Sequence, residues 1–315
     1  MQNSKLQFKI QNFKFLTVVF SFLFLVFSLM LTKPAMAAIL YLQPSQGQYH
    51  QSDTFIVDVN IDTKDQCINA VDIEISFPQD ILKGINFSKG ESIIVFWTEK
   101  PVINQELGLV SFVGGIPGGY CGILPGDPRE HSHLGRIIFK AKEIRGEQFS
   151  AELKFLDTSQ VLLNDGFGTP TELFFKRAFY TILPEKREIP EDKWQEKIKA
   201  DIVPPELFEV EIKQDPAIFD GKYFIIFFTT DKQTGLNYFE VQEGRREWQR
   251  AESPYLLKDQ TLRSIIRVRA VDMAGNERII ELQPLKKPFP YWAIILVLIT
   301  AGVIWGIIRI LKRKT

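Results

Sequence analysis

From residue 54 to residue 182, apolar and polar side chains alternate in short runs. In "TFIVDVNI" the apolar positions are Phe55, Val57, Val59 and Ile61; in "AVDIEISF" they are Val71, Ile73, Ile75 and Phe77, with Asp72, Glu74 and Ser76 between them. Period two is the mark of a strand with one dry face and one wet face. The same reading predicts strands at 54–61, 70–77, 93–97, 109–113, 136–141, 151–156, 159–163 and 174–182, with no long amphipathic helix among them. Pro78 cannot donate to a ladder and so ends the second of these near Phe77. Gly114, Gly115, Gly118 and Gly119 around Pro117 predict a flexible turn. Many short strands in about 145 residues predict a β-sandwich, bounded here as 38–182.

The pattern then changes. "LPEKREIPEDKWQEKIKADIVPP", residues 183–205, is rich in charge and proline and lacks strand periodicity, so it reads as a linker with a helical turn or two around 193–199. Its Trp194 is expected to pack on a neighbouring domain. Strand periodicity resumes at 208–212, 223–229, 236–242 and 265–271, which predicts a second, smaller sandwich over 206–284. The fold class is therefore all-β, two sandwiches in series.

Both ends are hydrophobic. Lys5, Lys9 and Lys14 precede an apolar run from Phe15 to Leu31, and Ala35 and Ala37 stand at cleavage spacing, the order of a signal peptide over 1–37. Tyr291 to Ile308 is an unbroken apolar stretch opened by Tyr291 and Trp292, long enough for a transmembrane helix over 288–310. Arg309, Lys312, Arg313 and Lys314 follow it, and the positive-inside rule keeps the tail 311–315 in the cytoplasm. The expected layout is a single-pass type I protein with the bulk of the chain extracellular. Gly302 and Gly306 have the small-xxx-small spacing of paired membrane helices, which points to a helix-mediated homodimer.

Charge refines this layout. Lys5, Lys9, Lys14, Lys33, Arg309, Lys312, Arg313 and Lys314 account for eight of the 38 cations, so the outer part carries 30 against 38 acids, a net of about −8. Such a surface argues against nucleic acid as a partner. Cys67 and Cys121 are the two cysteines, both on the outer side; a disulfide is the favoured reading, two thiols being too few for structural zinc, and buried free cysteine is the alternative.

The ordered series "SDTFIVDVNIDT", "NAVDIEISFPQDIL", "GLVSFVGG", "GRIIFKAKE" and "SQVLLNDGFGT" resembles the cohesin domain, within the superfamily that also holds carbohydrate-binding modules of families two and three. The resemblance covers roughly 39–182 and implies a nine-stranded jelly roll. It also implies a receptor that captures an extracellular protein module on a sheet face. The chain departs from the family at "CGILPGDPREHSHL", 121–134, which holds His131 and His133 beside Glu130; a solvated polar loop is the expectation there. The second sandwich resembles bacterial immunoglobulin-like modules through "TTDKQTGLNYFEV", "EWQRAESPYLL" and "IIRVRAVDMAGNERII", which implies a spacer.

Three sets of candidate site residues follow. Asp72, Glu74 and Ser76 on a wet sheet face suit a protein partner, although a merely solvated face fits them too. Tyr49, Trp97 and Tyr120 are the aromatics that would stack on a polysaccharide, the alternative ligand that the superfamily implies. No cofactor motif is present; calcium is the one ion with ligands in view, from Asp62 and Asp65 in one loop and Asn164 and Asp165 in another, although Asn-Asp-Gly is first a turn signal. No Gly-x-Ser-x-Gly elbow, phosphate loop or His-Glu-x-x-His occurs, and an enzyme is not expected. A purely architectural envelope protein is the remaining alternative.

Overall fold

The computed structural model describes residues 37–312 apart from 124–130, 145, 147 and 286–290. The signal-peptide expectation falls on residues 1–36 and so lies outside them, as does Glu130.

The first module begins with β1 (Ala38–Gln43), β2 (Gln46–Gln51), β3 (Thr54–Asp62), β4 (Ile68–Ser76), β5 (Leu82–Ser88) and β6 (Phe96–Asn104). It continues with β7 (Leu109–Tyr120), β8 (Ser132–Ala141), β9 (Phe149–Phe155), β10 (Gln160–Leu163), β11 (Leu173–Phe175) and β12 (Ala178–Lys186). These form a five-stranded sheet, β11-β1-β3-β8-β5, and a seven-stranded sheet, β2-β12-β9-β4-β7-β6, with β10 also paired to β4. The first segment of the module serves both sheets: β1 lies parallel to β11, and after Pro44 β2 lies parallel to β12. This split, with the short strands β10 and β11, gives twelve strands where the resemblance implied nine.

One core fills the space between the sheets. Phe55, Val57, Val59 and Ile61 of β3 meet Val71, Ile73 and Ile75 of β4 there, every one of them almost fully buried. The alternation seen in the sequence is thus the alternation of core and outer face. Tyr180 closes one end, its hydroxyl donating to the Pro44 carbonyl at 2.7 Å.

The glycine-rich stretch is a correction to the expected flexible turn: β7 runs through it as far as Tyr120. Two of its glycines are required by close packing: a methyl group at Gly114 would overlap the Ile94 side chain and one at Gly119 the Asn164 amide. The strand expected at 93–97 instead starts at Phe96, because Ile93 and Ile94 are buried in the approach to it.

The linker expectation also needs correction. β12 extends to Lys186, the Thr54 amide donates to the Glu191 carbonyl at 2.8 Å, and the Glu191 amide donates to Asp53 Oδ1 at 2.8 Å. Helix α1 (Lys193–Ala200) follows, capped by the Asp192 carboxylate, which accepts from the Gln195 amide at 2.9 Å. It packs against β3 with Trp194 as its one buried residue, 5% exposed. A single large apolar side chain and a few backbone hydrogen bonds suffice to dock a segment whose composition reads as a spacer.

The second module is a smaller sandwich. Its three-stranded sheet orders β13 (Val210–Asp215), β14 (Ile218–Phe227) and β17 (Tyr255–Leu256). Its four-stranded sheet orders β16 (Gln249–Ala251), β15 (Leu236–Glu243), β18 (Ile266–Asp272) and β19 (Glu277–Leu282). Phe208, Ile225, Phe227, Val241, Val268 and Ala270 are in its core.

Helix α2 (Tyr291–Lys312) has 22 residues. Its continuously described side chains run only from Ile295 to Trp305, and among the described residues no helix is long and apolar enough to cross a membrane.

Candidate protein-docking face

The two sheets of the first module differ in what lies over their outer surfaces. On β8 both faces are buried: Ile137 and Phe139 point into the core, and the outward Arg136 and Ile138 are 6% and 0% exposed. Helix α1 lies over β3 on this side, and the 231–235 turn of the second module abuts the end of β5 and β8. There Ser88 Oγ donates to the Thr234 carbonyl at 2.6 Å and Arg136 Nη1 to the Gln233 carbonyl at 3.1 Å. A methyl group at Gly90 would overlap the Gln233 carbonyl, so the modules meet backbone to backbone.

This covered side holds a buried polar network. Arg136 pairs with Glu91 and lies 2.9 Å from Asp58 Oδ1, although the angle there is not that of a hydrogen bond. His133 Nδ1 is 3.2 Å from Asn60 Oδ1, and its Nε2 is buried 3.9 Å from Asp58 Oδ1 with no hydrogen-bond partner among the described residues. His133 therefore corrects the expected solvated loop: β8 begins at Ser132 and carries the histidine into the sheet, 6% exposed, while His131 Nδ1 meets the Tyr41 hydroxyl at 3.1 Å.

Burial first, then the charges of Arg136, Lys197 and His131, push the His133 imidazole down to about 3. The unfolded chain binds a proton near the ordinary histidine value that the folded chain refuses, so stability falls as pH drops below about 6.5. The expected loss between pH 7 and pH 5 is on the order of 2 kcal/mol from this residue. Asp58, raised by burial, acts in the opposite sense at lower pH. Urea midpoints at pH 7, 6 and 5 test this, and His133→Gln should flatten the slope; an unchanged slope would refute the assignment.

Among the described residues, the centre of the seven-stranded sheet carries no such cover. Along β4 the inward positions are buried while Asp72 is exposed and Glu74 and Ser76 are half-exposed. Register sets their neighbours: Asp72 lies opposite Val113, Glu74 opposite Ser111 and Ser76 opposite Leu109 on β7. Beyond these, Glu99 and Val102 of β6 pair with Val113 and Ser111. On the other side of β4, β9 and β12 carry Glu152, Lys154 and the exposed Phe179 outward. The Asp72 carboxyl is held above its ordinary value, by burial first and then by Glu74 and Glu99. The result is an acidic strip with apolar side chains among it, the mixed composition of a non-obligate protein interface.

The Glu74 position is braced: Thr158 Oγ1 donates to its carboxylate, and its amide donates to Ser159 Oγ at 3.0 Å. The β4–β7 pair is locked at one end, where Ile68 lies opposite Tyr120 and the adjacent Cys67 and Cys121 form the expected disulfide.

The other candidate residues are placed differently from expectation. Tyr49 is in the core, 7% exposed and stacked on Phe55 with ring centroids 3.9 Å apart, so it offers no sugar platform. Tyr120 is half-buried, its hydroxyl 2.7 Å from Ser132 Oγ. Trp97 is half-buried against Phe87 and Phe112. The three do not form a row: β2 is at the opposite edge of the sheet from β6, and on the neighbouring β7 it is Gly114 that lies opposite Trp97, with Tyr120 at the far end of the strand.

The calcium candidates have partners close by. Asp62 pairs with Lys64 at 2.6 Å, Asn164 Nδ2 donates to the Gly118 carbonyl at 3.2 Å, and Asp165 Oδ1 accepts from the Phe167 and Gly168 amides at 2.8 and 3.0 Å. These groups brace their own loops, and Asp62, Asp65 and Asp165 do not belong to a converging set of three among the described residues.

Asp201, Asp231 and Asp272 do converge, their carboxylates within 4.8 Å of one another and all buried. Such oxygens are of the kind a hard cation takes, although calcium wants six to eight. Protein donors already engage them. Asp231 accepts from the Gln233 and Gly235 amides, Asp201 from the Thr234 amide and hydroxyl, and Asp272 from the Asn276 amide and side chain. Sequence reasoning missed this cluster because its members come from the linker and two separate turns of the second module.

No family model and no curated protein matches the sequence. Solved structures that resemble the chain are cohesin modules. The type I cohesin–dockerin complex Coh-OlpC-Doc435 from Clostridium thermocellum aligns over 48% of this chain and 97% of its own, at 11% identity and a TM-score of 0.39. The sixth cohesin of Acetivibrio cellulolyticus scaffoldin B, in complex with a Cel5 dockerin mutant, covers 48% and 100% at 15% identity and a TM-score of 0.36. The cohesin module of a Clostridium perfringens family 33 glycoside hydrolase covers 47% of this chain and 97% of its own at 12% identity, TM-score 0.35.

Proposed function

We propose that this chain is a non-catalytic docking protein whose first module captures a partner protein module on the outer face of the seven-stranded sheet. The observation that carries the reading is the contrast between the two outer faces: one is closed by α1 and the second module, the other presents Asp72, Glu74, Glu99, Val102 and Val113 to solvent. A dockerin-type module is the partner that the sequence resemblance favours. The docked linker and the second sandwich hold this face at a set orientation.

The same reading places the modules outside the cell, with α2 as anchor. Support comes from its 22 residues, which at 1.5 Å per residue span about the 30 Å of a hydrocarbon core, and from the cations at its C-terminal end.

Calorimetric titration with dockerin modules tests the docking face. Glu74→Lys together with Val113→Asp should weaken binding at least tenfold, about 1.4 kcal/mol or more, without changing the melting temperature by more than a few degrees. Equal affinity of wild type and variant would place docking elsewhere.

A further inference from the structure

The cleft between the two modules is a separate surface from the docking face's centre, and its chemistry is distinct. It has a volume of about 560 Å³ and is walled by Phe96 and Trp97 from the first module and by Phe228, Tyr238 and Phe239 from the second. Phe96 and Phe228 are 60% and 49% exposed and have no partner ring among the described residues.

The charges in this cleft do not cancel. Lys100 pairs with Glu252 across it, and Arg250 lies over the Tyr238 ring, 3.0 Å from its centroid. Lys89 lies over the Trp97 ring, 4.8 Å from its centroid, and among the described residues no carboxylate pairs with it. Its surroundings push the ammonium down to about 8, burial first and Lys100 second, with Glu252 opposing. An amine held out of water over an aromatic ring, with an open cavity before it, is a cation prepared for an incoming anion.

We propose that this cleft binds an acidic sugar: one or two pyranose rings carrying a carboxylate. The aromatic walls suit the C–H faces of such rings, Thr229, Thr230, Asn237 and Ser253 line the cleft with groups for the hydroxyls, and Lys89 meets the carboxylate. The volume is in the range of sites for ligands of this size. A peptide fits less well. β6 is the edge strand through which an extended chain would add, but Pro101 lacks an N–H and the Lys100–Glu252 pair closes that edge across the cleft.

The cleft is also pre-formed. The modules are tied by Ser88 to Thr234, by Arg136 to Gln233, and through Asp201, which accepts from Thr234 and whose carbonyl accepts from Asn276 Nδ2 at 3.1 Å. A ligand held between them need not supply the cost of bringing them together.

Isothermal titration of the full chain with trigalacturonate tests the proposal, with cellotriose as the neutral ring, inorganic phosphate as the bare anion, and a short glutamate-rich peptide. Trigalacturonate should bind at least tenfold more tightly than each of the others. Lys89→Gln should remove at least tenfold of that affinity, and Phe228→Ala, at a half-exposed wall position, should do so with no change in melting temperature. Absence of trigalacturonate binding, equal binding by both variants, or tighter binding of cellotriose, phosphate or the peptide would overturn it. Dockerin binding by the same variants should be unchanged.

Discussion

Replacing Cys67 and Cys121 together by alanine is expected to lower the stability of the first module by about 4 kcal/mol. The bridge spans a sequence separation of 54 residues, and tying the ends of a loop of that length removes entropy from the unfolded chain worth about that much. The segment enclosed includes β4 to β7; β6 and β7 form a local hairpin, but β4 pairs with β7 across the whole enclosed loop, so the untied chain pays more to bring them together. Because the effect lies chiefly in the unfolded state, the proposed docking face should keep its shape and its affinity under folding conditions. The measurement is the guanidinium midpoint of the double variant, with dockerin titration at low denaturant as the control. A loss below about 1 kcal/mol would show that the strand ladder alone holds the β4–β7 end.

The second large effect is expected at Trp194. Truncation to alanine should cost about 3 kcal/mol, the scale for removing a buried aromatic side chain, and should release α1 from the five-stranded sheet. That helix offers no other buried residue, and the outward face of β8 beneath the cover holds Ile138 and the partly satisfied network of Arg136, Asp58 and His133. Exposing that network to water removes part of the penalty of its burial, so the loss should stop short of the upper values seen for core aromatics. Trp194→Phe should restore most of the stability. Small-angle scattering supplies the second readout: the alanine variant should show a larger radius of gyration as the modules separate. An unchanged scattering profile would mean that the contacts of Ser88, Arg136 and Asp201 hold the modules without the helix.

Several strands were legible because alternation survives wherever one sheet face is wet. β3, β4 and β9 fall close to their expected positions, and their inward residues are the ones that periodicity nominates. β5 and the start of β8 escaped because their burial does not alternate simply. Leu82, Phe87 and Ser88 of β5 are buried with exposed residues between them, and β8 is buried on both sides. Two-sided burial erases the signal of period two.

Among the candidate site residues, the disulfide partners and the wet face of β4 were readable locally. Tyr49 was not: a tyrosine in the polar run "QGQYHQ" reads as exposed, yet β2 crosses the sandwich end where Phe55 waits to stack on it. Asp201, Asp231 and Asp272 come from three segments far apart in sequence, and no spacing rule connects them.

The chain's order of residues alone determined that two β modules follow one another and which side chains of β3 and β4 form the core. These are consequences of neighbours along the chain; that Cys67 and Cys121 come within bonding distance is not. Only the tertiary structure decided which wet face stays wet. Asp72 and Glu74 on β4 and Arg136 and Ile138 on β8 occupy equivalent outward positions, and what separates them is a helix and a second module that both begin far along the chain from β8. Exposure depends on what the rest of the chain lays over a surface, a sum over distant contacts that local alternation does not contain.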